Sequence, residues 1–214
     1  MVAALGSSVL DRPVLVIGAG VAGACCALRL RHHGMDVHLA EKAAFPRAKV
    51  CGCCIGGAGL RLLDQLSLRT WVQSHGAETV RWSASIGGQR IELALPEGVA
   101  ISRETLDSKL LHSAGEAGAE LFTPAFARVD QLHSELHSGS VTASLEVEGI
   151  GIQRCEYSAV VIASGLNAAG SQRLLPWREK PNGPFGAAFF AKSDSLPGGT
   201  IHMACDDDGY VGLV

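Results

Sequence analysis

Hydrophobic positions change their spacing along this chain in a way that separates strands from helices. Val14-Leu15-Val16-Ile17 is a short unbroken apolar run, which predicts a buried strand. A helix-like stretch follows over 24–33, Gly34 supplies a stop, and 36–40 returns to strand character. Together these make one βαβ unit. Residues 42–57 hold no period, and Pro46, Gly52, Gly56 and Gly57 mark a long ordered loop, a kind of segment that usually carries function. Leu60, Leu63 and Leu66 restore helical spacing over 58–68, with a further turn predicted at 71–74. Alternation over 79–86 and 89–95 across Gly87-Gly88 predicts a β-hairpin.

Leu106, Leu110, Ala114 and Ala117 return to helical spacing behind Ser102, a suitable N-cap, and stop at Gly118. A short strand at 119–122 then rejoins the parallel sheet, and 125–132, 140–148 and 152–157 predict a three-stranded meander. The run AVVIA at 159–163 is wholly apolar, as expected of a strand buried on both faces, and it leads into a turn at Ser164-Gly165. Beyond it, 187–191, 200–204 and 210–214 predict antiparallel strands of a different layer.

Composition narrows the partners. The 214 residues are 47% hydrophobic and 18% charged, which is enough to build a packed core. Lysine plus arginine number 18 against 21 acids, and no basic block occurs, so nothing points to an electrostatic nucleic-acid surface and a small-molecule partner is expected. The uncharged run Val14 to Leu28 is shorter than the ~20 residues a spanning helix needs and contains three glycines, so no integral membrane segment is expected. Seven cysteines with no convincing signal peptide predict reduced thiols and a cytoplasmic setting. Cys51-Gly52-Cys53-Cys54 lacks a second ligand pair at metal spacing, so no metal is expected. The eight histidines show no catalytic pairing, and no acid, base or nucleophile is assigned.

The chemistry-bearing feature is GAGVAG at 18–23, a GxGxxG pattern placed between strand and helix. Gly18 permits the tight turn, Gly20 lets the backbone approach a pyrophosphate, and Gly23 allows close helix-to-sheet packing. A pyrophosphate then rests on the helix N-terminus, where free N–H groups and the positive dipole end favour an anion. Glu41, 18 positions beyond Gly23, stands where an acid accepts hydrogen bonds from a ribose diol and repels a 2'-phosphate. The alternative is that these glycines only make a strand-to-helix turn.

Four segments in this order resemble the FAD-dependent oxidoreductases of the p-hydroxybenzoate hydroxylase type, most closely the branch with geranylgeranyl reductases, flavin monooxygenases and halogenases. VLVIGAGVAGACCALRL with AEK at 40–42 looks like that family's adenine-nucleotide fingerprint, and FPRAKVCGCCI is similar to its R-x-K-x-C-G loop. ISRETLDSKLLHSAGEAGAELF is similar to its R-x-x-L/F-D-x-x-L helix, and GYVGLV to the start of its G-Y-x-G strand. The resemblance implies an α/β fold. It consists of a Rossmann-like FAD-binding domain (1–78 and 101–180), a parallel sheet with a β-meander, plus an incomplete antiparallel β substrate domain (79–100 and 181–214).

By the same resemblance, Gly18, Gly20, Gly23, Glu41 and Lys42 bind the ADP half of FAD. Arg47 and Arg103 lie near the diphosphate or flavin, and the Val129 backbone passes the adenine. For the two arginines the alternative is solvated surface charge. Cys51 is either a pocket or redox contact near the flavin or a small buried apolar side chain. The implied activity is a monooxygenase-like FAD-dependent oxidoreductase acting on an apolar aromatic or isoprenoid-like molecule, or a geranylgeranyl-type alkene reductase. NAD(P)H is the implied reductant, although Ser164-Gly165 stands where the family commonly has Asp-Gly. The chain also stops before the family's later Gly-Asp segment. An NAD-dependent dehydrogenase and a truncated, catalytically silent nucleotide-binding module are the remaining readings.

Overall fold

A computed structural model describes residues 12–133, 139–167, 174, 182–192 and 195–214. The first elements are β1 (Val14–Ile17), α1 (Val21–His32), β2 (Val37–Ala40), β3 (Cys54–Gly56), α2 (Gly57–Gln65), α3 (Arg69–His75) and β4 (Ala77–Glu78). There follow β5 (Arg81–Ile86), β6 (Gln89–Ala94), β7 (Gly98–Ala100), α4 (Arg103–Glu116), β8 (Glu120–Phe122) and β9 (Ala125–His133). The remaining elements are β10 (Ser140–Val147), β11 (Gly151–Tyr157), β12 (Ala159–Ile162), β13 (Thr200–Asp206) and β14 (Gly209–Leu213). The chain divides into two compact units, Met1–Arg47 with Asp107–Asn182, and Ala48–Leu106 with Gly183–Val214. Residues 48–78, expected beside the nucleotide-binding part, pack in the second unit.

In the first unit a parallel sheet has the order β12-β1-β2-β8. Its register sets Ile17 beside both Ala40 and Ile162, so the carboxyl ends of three strands finish level. The ladder runs one step further: Gly18 N–H donates to Ala40 O (2.7 Å), Ala163 N–H to Ile17 O (2.8 Å) and Glu41 N–H to Phe122 O (2.9 Å). That common edge carries the site. Successive β1 side chains point to opposite faces. Leu15 and Ile17 join Ala40, Ala127, Val129, Ala143, Leu145 and Tyr157 in the core between the sheet and the antiparallel meander β11-β10-β9. α1 packs against β1 and β2 through buried Ala24, Ala27 and Leu28.

The second unit holds a sheet of order β14-β13-β5-β6 and a small antiparallel sheet β3-β7-β4. β13 pairs antiparallel with β14 and parallel with β5. The β5–β6 hairpin turns at Gly87 and Gly88, with φ of 55° and 77°; positive φ at both central residues is what a type I′ turn requires and what glycine supplies without strain. α4 begins behind Ser102, whose Oγ accepts the Thr105 N–H (3.1 Å), the expected cap.

Two expectations are corrected. β12 is not buried on both faces: it is the edge of the described sheet, and its residues range from half-buried to exposed. An apolar run reports what a strand can bury, whereas burial needs a neighbour on each side. Residues 187–191 form no strand, and the segment leaves Phe185, Phe189 and Phe190 exposed.

Beneath the core, the fully buried Tyr157 hydroxyl lies 3.3 Å from His38 Nδ1, and His38 Nε2 lies 3.2 Å from Glu120. Burial lowers the His38 pKa from its ordinary value, outweighing the opposite pull of Glu120 and Asp36. A neutral ring fits every contact: Tyr157 O–H donates to Nδ1, and Nε2–H donates to Glu120. Because the native pKa lies below the unfolded one, the unfolded chain binds more protons just below pH ~6.5, and stability falls as the pH drops through that value. Urea unfolding of wild type and His38→Gln between pH ~5 and ~7.5 checks this: the wild type is expected to lose more stability on acidification than the variant.

Candidate nucleotide site

The level strand ends bring Gly18, Glu41 and Ala163 side by side, and α1 rises from the first of them. Gly18 has φ +102°, and a Cβ there would lie 2.5 Å from the Ala163 carbonyl oxygen. A Cβ on Gly23 would overlap the Gly18 carbonyl oxygen. Both positions admit glycine alone, because backbone fills the space. Gly20 is the N-cap of α1 in extended conformation; no side chain caps it and no acid stands in the first turn. Gly20 and Val21 are half-buried and Ala22 is exposed, so the mouth of the helix is open. The first amides of a helix have no partner within it. Arg29, Arg31 and His32 occupy the last turn, matching the negative dipole end.

Glu41 is only 8% exposed and closes the loop from the side. Its Oε2 accepts the Ala19 N–H (3.0 Å) and its Oε1 the Ala43 N–H (3.1 Å). Arg47 Nη2 approaches the same Oε2 at 3.4 Å. A carboxylate offers about four acceptor positions, so one position is left for a further donor. Arg47 also reaches Asp107 Oδ2 (3.5 Å), and its guanidinium lies 5.0 Å from the centre of the Phe45 ring. At 13% side-chain exposure it is no solvated surface charge. Its Nε is buried with no hydrogen-bond partner, as is the Ser164 Oγ at the end of β12. Buried polar groups are nearly always paired, so both atoms are open to a polar partner from outside the chain.

Lys42 is exposed and lines a shallow depression of about 580 Å³ with Phe126, Glu146, Glu148 and Ile152. Val129 has its side chain in the core, so only its backbone, on the edge strand of the meander, could meet a ligand. Arg103 opens α4 within the second unit and is half-buried. Cys51 is exposed, which corrects the buried alternative. Among the described residues no cluster of His, Cys, Asp or Glu is placed to hold a metal ion.

Asp107, the acid of the R-x-x-L/F-D-x-x-L segment, was given no role by sequence reasoning, and it is completely buried. The signal was available: Leu110, Leu111 and Ala114 stand three, four and seven residues on, so Asp107 is an acid on the helix's apolar stripe. Its charge also reaches α1: the Cys25 thiol is pushed up to about 11, first by burial and then by Asp107 and Cys26.

A glycine cradle, an open helix mouth and an acid closing the second strand meet at the level strand ends. The FAD binding domain family matches residues 11–165. The chain belongs to that family. Digeranylgeranylglycerophospholipid reductase 1 of Methanopyrus kandleri is 31% identical over 164 residues, covering 74% of this chain and 41% of that protein. Menaquinone reductase of Mycobacterium tuberculosis is 32% identical over 120 residues, covering 53% of this chain and 29% of that protein. The flavin-dependent halogenase CmlS has the same fold, with a TM-score of 0.75 at 21% identity, covering 98% of this chain and 40% of the other. The chain thus covers only 29% to 41% of the length of these relatives.

Gly23→Ala is expected to destabilise the FAD-binding domain by ~3 kcal/mol or more, because neither the helix nor the Gly18 carbonyl can retreat. Gly52→Ala, where a Cβ meets nothing within 4 Å, serves as control. Chemical denaturation of both variants provides the measurement.

Proposed function

We propose that the first unit grips the ADP part of FAD and that the protein is an FAD-dependent oxidoreductase acting on an apolar small molecule. The observation that carries this reading is the open mouth of α1 behind a loop in which Gly18 and Gly23 tolerate no side chain. The first amides of α1 receive the diphosphate, with the dipole end supplying positive potential. Arg47, with its unpartnered Nε, adds a fixed charge-assisted donor, and Ser164 adds a hydroxyl. Glu41 holds the loop through Ala19 and offers its last acceptor position to a ribose hydroxyl. Val129 borders the adenine through its backbone, and Lys42 and Arg103 complete the contacts to the cofactor.

When bound, the isoalloxazine supplies two-electron redox chemistry, and the chain's own groups bind and orient it. The second unit contributes part of the substrate domain. NAD(P)H is the electron donor in this reading, and the seven free thiols fit a reducing, cytoplasmic setting. A reductive rather than oxygenating reaction has specific support, since the two sequence relatives described above are both named reductases. The oxygenating alternative draws on the fold shared with a flavin-dependent halogenase.

Titration of the purified chain with FAD, read as flavin fluorescence quenching and a shifted absorbance spectrum, is expected to show saturable binding. Arg47→Ala should weaken it by roughly 10- to 100-fold, the worth of one charge-assisted hydrogen bond to an anion. A protein that ignores FAD but binds NAD would overturn this reading in favour of a dehydrogenase. Binding of FAD with no turnover of NADPH under air would leave a silent nucleotide-binding module.

A further inference from the structure

Asp107 is a fully buried carboxylate on α4, and nothing in the glycine fingerprint calls for it. A buried charge is retained only with compensation. Part of that compensation is Arg47, whose Nη2 stands 3.5 Å from Asp107 Oδ2 and 3.4 Å from Glu41 Oε2. One nitrogen therefore lies between two anions, at a distance from each that is long for a charge-assisted bond of about 2.7–2.9 Å. An arginine facing a single carboxylate normally closes on it with two parallel N–H bonds. Here it has not closed on Glu41, although both side chains are buried and only six residues apart.

We infer that Asp107 is a positioning residue: it draws the Arg47 guanidinium off Glu41 and holds it where it serves a diphosphate. This rests on the ADP-binding reading given above. The two carboxylates come from different elements, Glu41 from the end of β2 and Asp107 from a helix, so the guanidinium is fixed from two directions. Phe45 supports it from a third, and Nε keeps no protein partner. Without the pull of Asp107, Arg47 collapses onto Glu41 as a closed pair. Both the diphosphate donor and the free acceptor position of Glu41 are then consumed within the protein.

The test compares ADP with adenosine by calorimetry on the full 214-residue chain. Asp107→Asn keeps the shape and removes the charge, and Asp107→Ser, smaller and neutral, repeats the measurement if the first variant folds poorly. Affinity for ADP is expected to fall on the order of tenfold, with adenosine weakened much less. In an Arg47→Gln background the same Asp107 substitution should cost no further ADP affinity, because no guanidinium remains to be placed. Equal losses for ADP and adenosine, no loss for either, or full additivity with Arg47→Gln would each reduce Asp107 to a structural charge and overturn the inference. A wild-type chain that binds neither ADP nor FAD would instead overturn the nucleotide reading itself, and this inference with it.

Discussion

The Glu41 carboxylate, buried at the end of β2, is the contact on which the proposed nucleotide site depends. It accepts the amide of Ala19 from inside the glycine loop and that of Ala43 from the next loop, so one side chain ties both loops to a single strand end. The geometry follows from the sheet. Because β1, β2 and β12 finish level, the loop that leaves β1 lies within reach of the residue that closes β2. Backbone crowding then does the rest, since Gly23 sits against the Gly18 carbonyl and fixes the direction in which α1 departs.

Charge is organised around that joint. Two buried acids flank one guanidinium, and the mouth of α1 contributes positive potential without any lysine. In the proposed reading, an anion arriving at the loop meets an arginine already in place and amides that need no reorganisation. Preorganisation of this kind lowers the cost of binding, because the ordering is completed during folding.

Much of this was legible in the sequence because it is local. β1, α1, β2 and the hairpin at Gly87-Gly88 are each set by a few neighbouring residues, and all four occur where periodicity and turn chemistry place them. Glu41 was found by its offset, yet its bond to Ala19 was not, since the offset says nothing of which amide the carboxylate meets. Arg47 was assigned a role from its motif, whereas Asp107, the acid of the R-x-x-L/F-D-x-x-L segment, was assigned none. The misreadings at 159–162 and 187–191 share one cause. Apolar composition records the capacity to be covered, and the covering partner is a property of the tertiary fold.

The sheets are stitched by strands far apart in the chain. β1 has β12 as one of its two neighbours, and β5 pairs in parallel with β13. The first sheet cannot close until β12 has been made, nor the second until β13, so strand edges stay open in the meantime. Long-range parallel pairing is slow to form and leaves aggregation-prone edges uncovered in the interval.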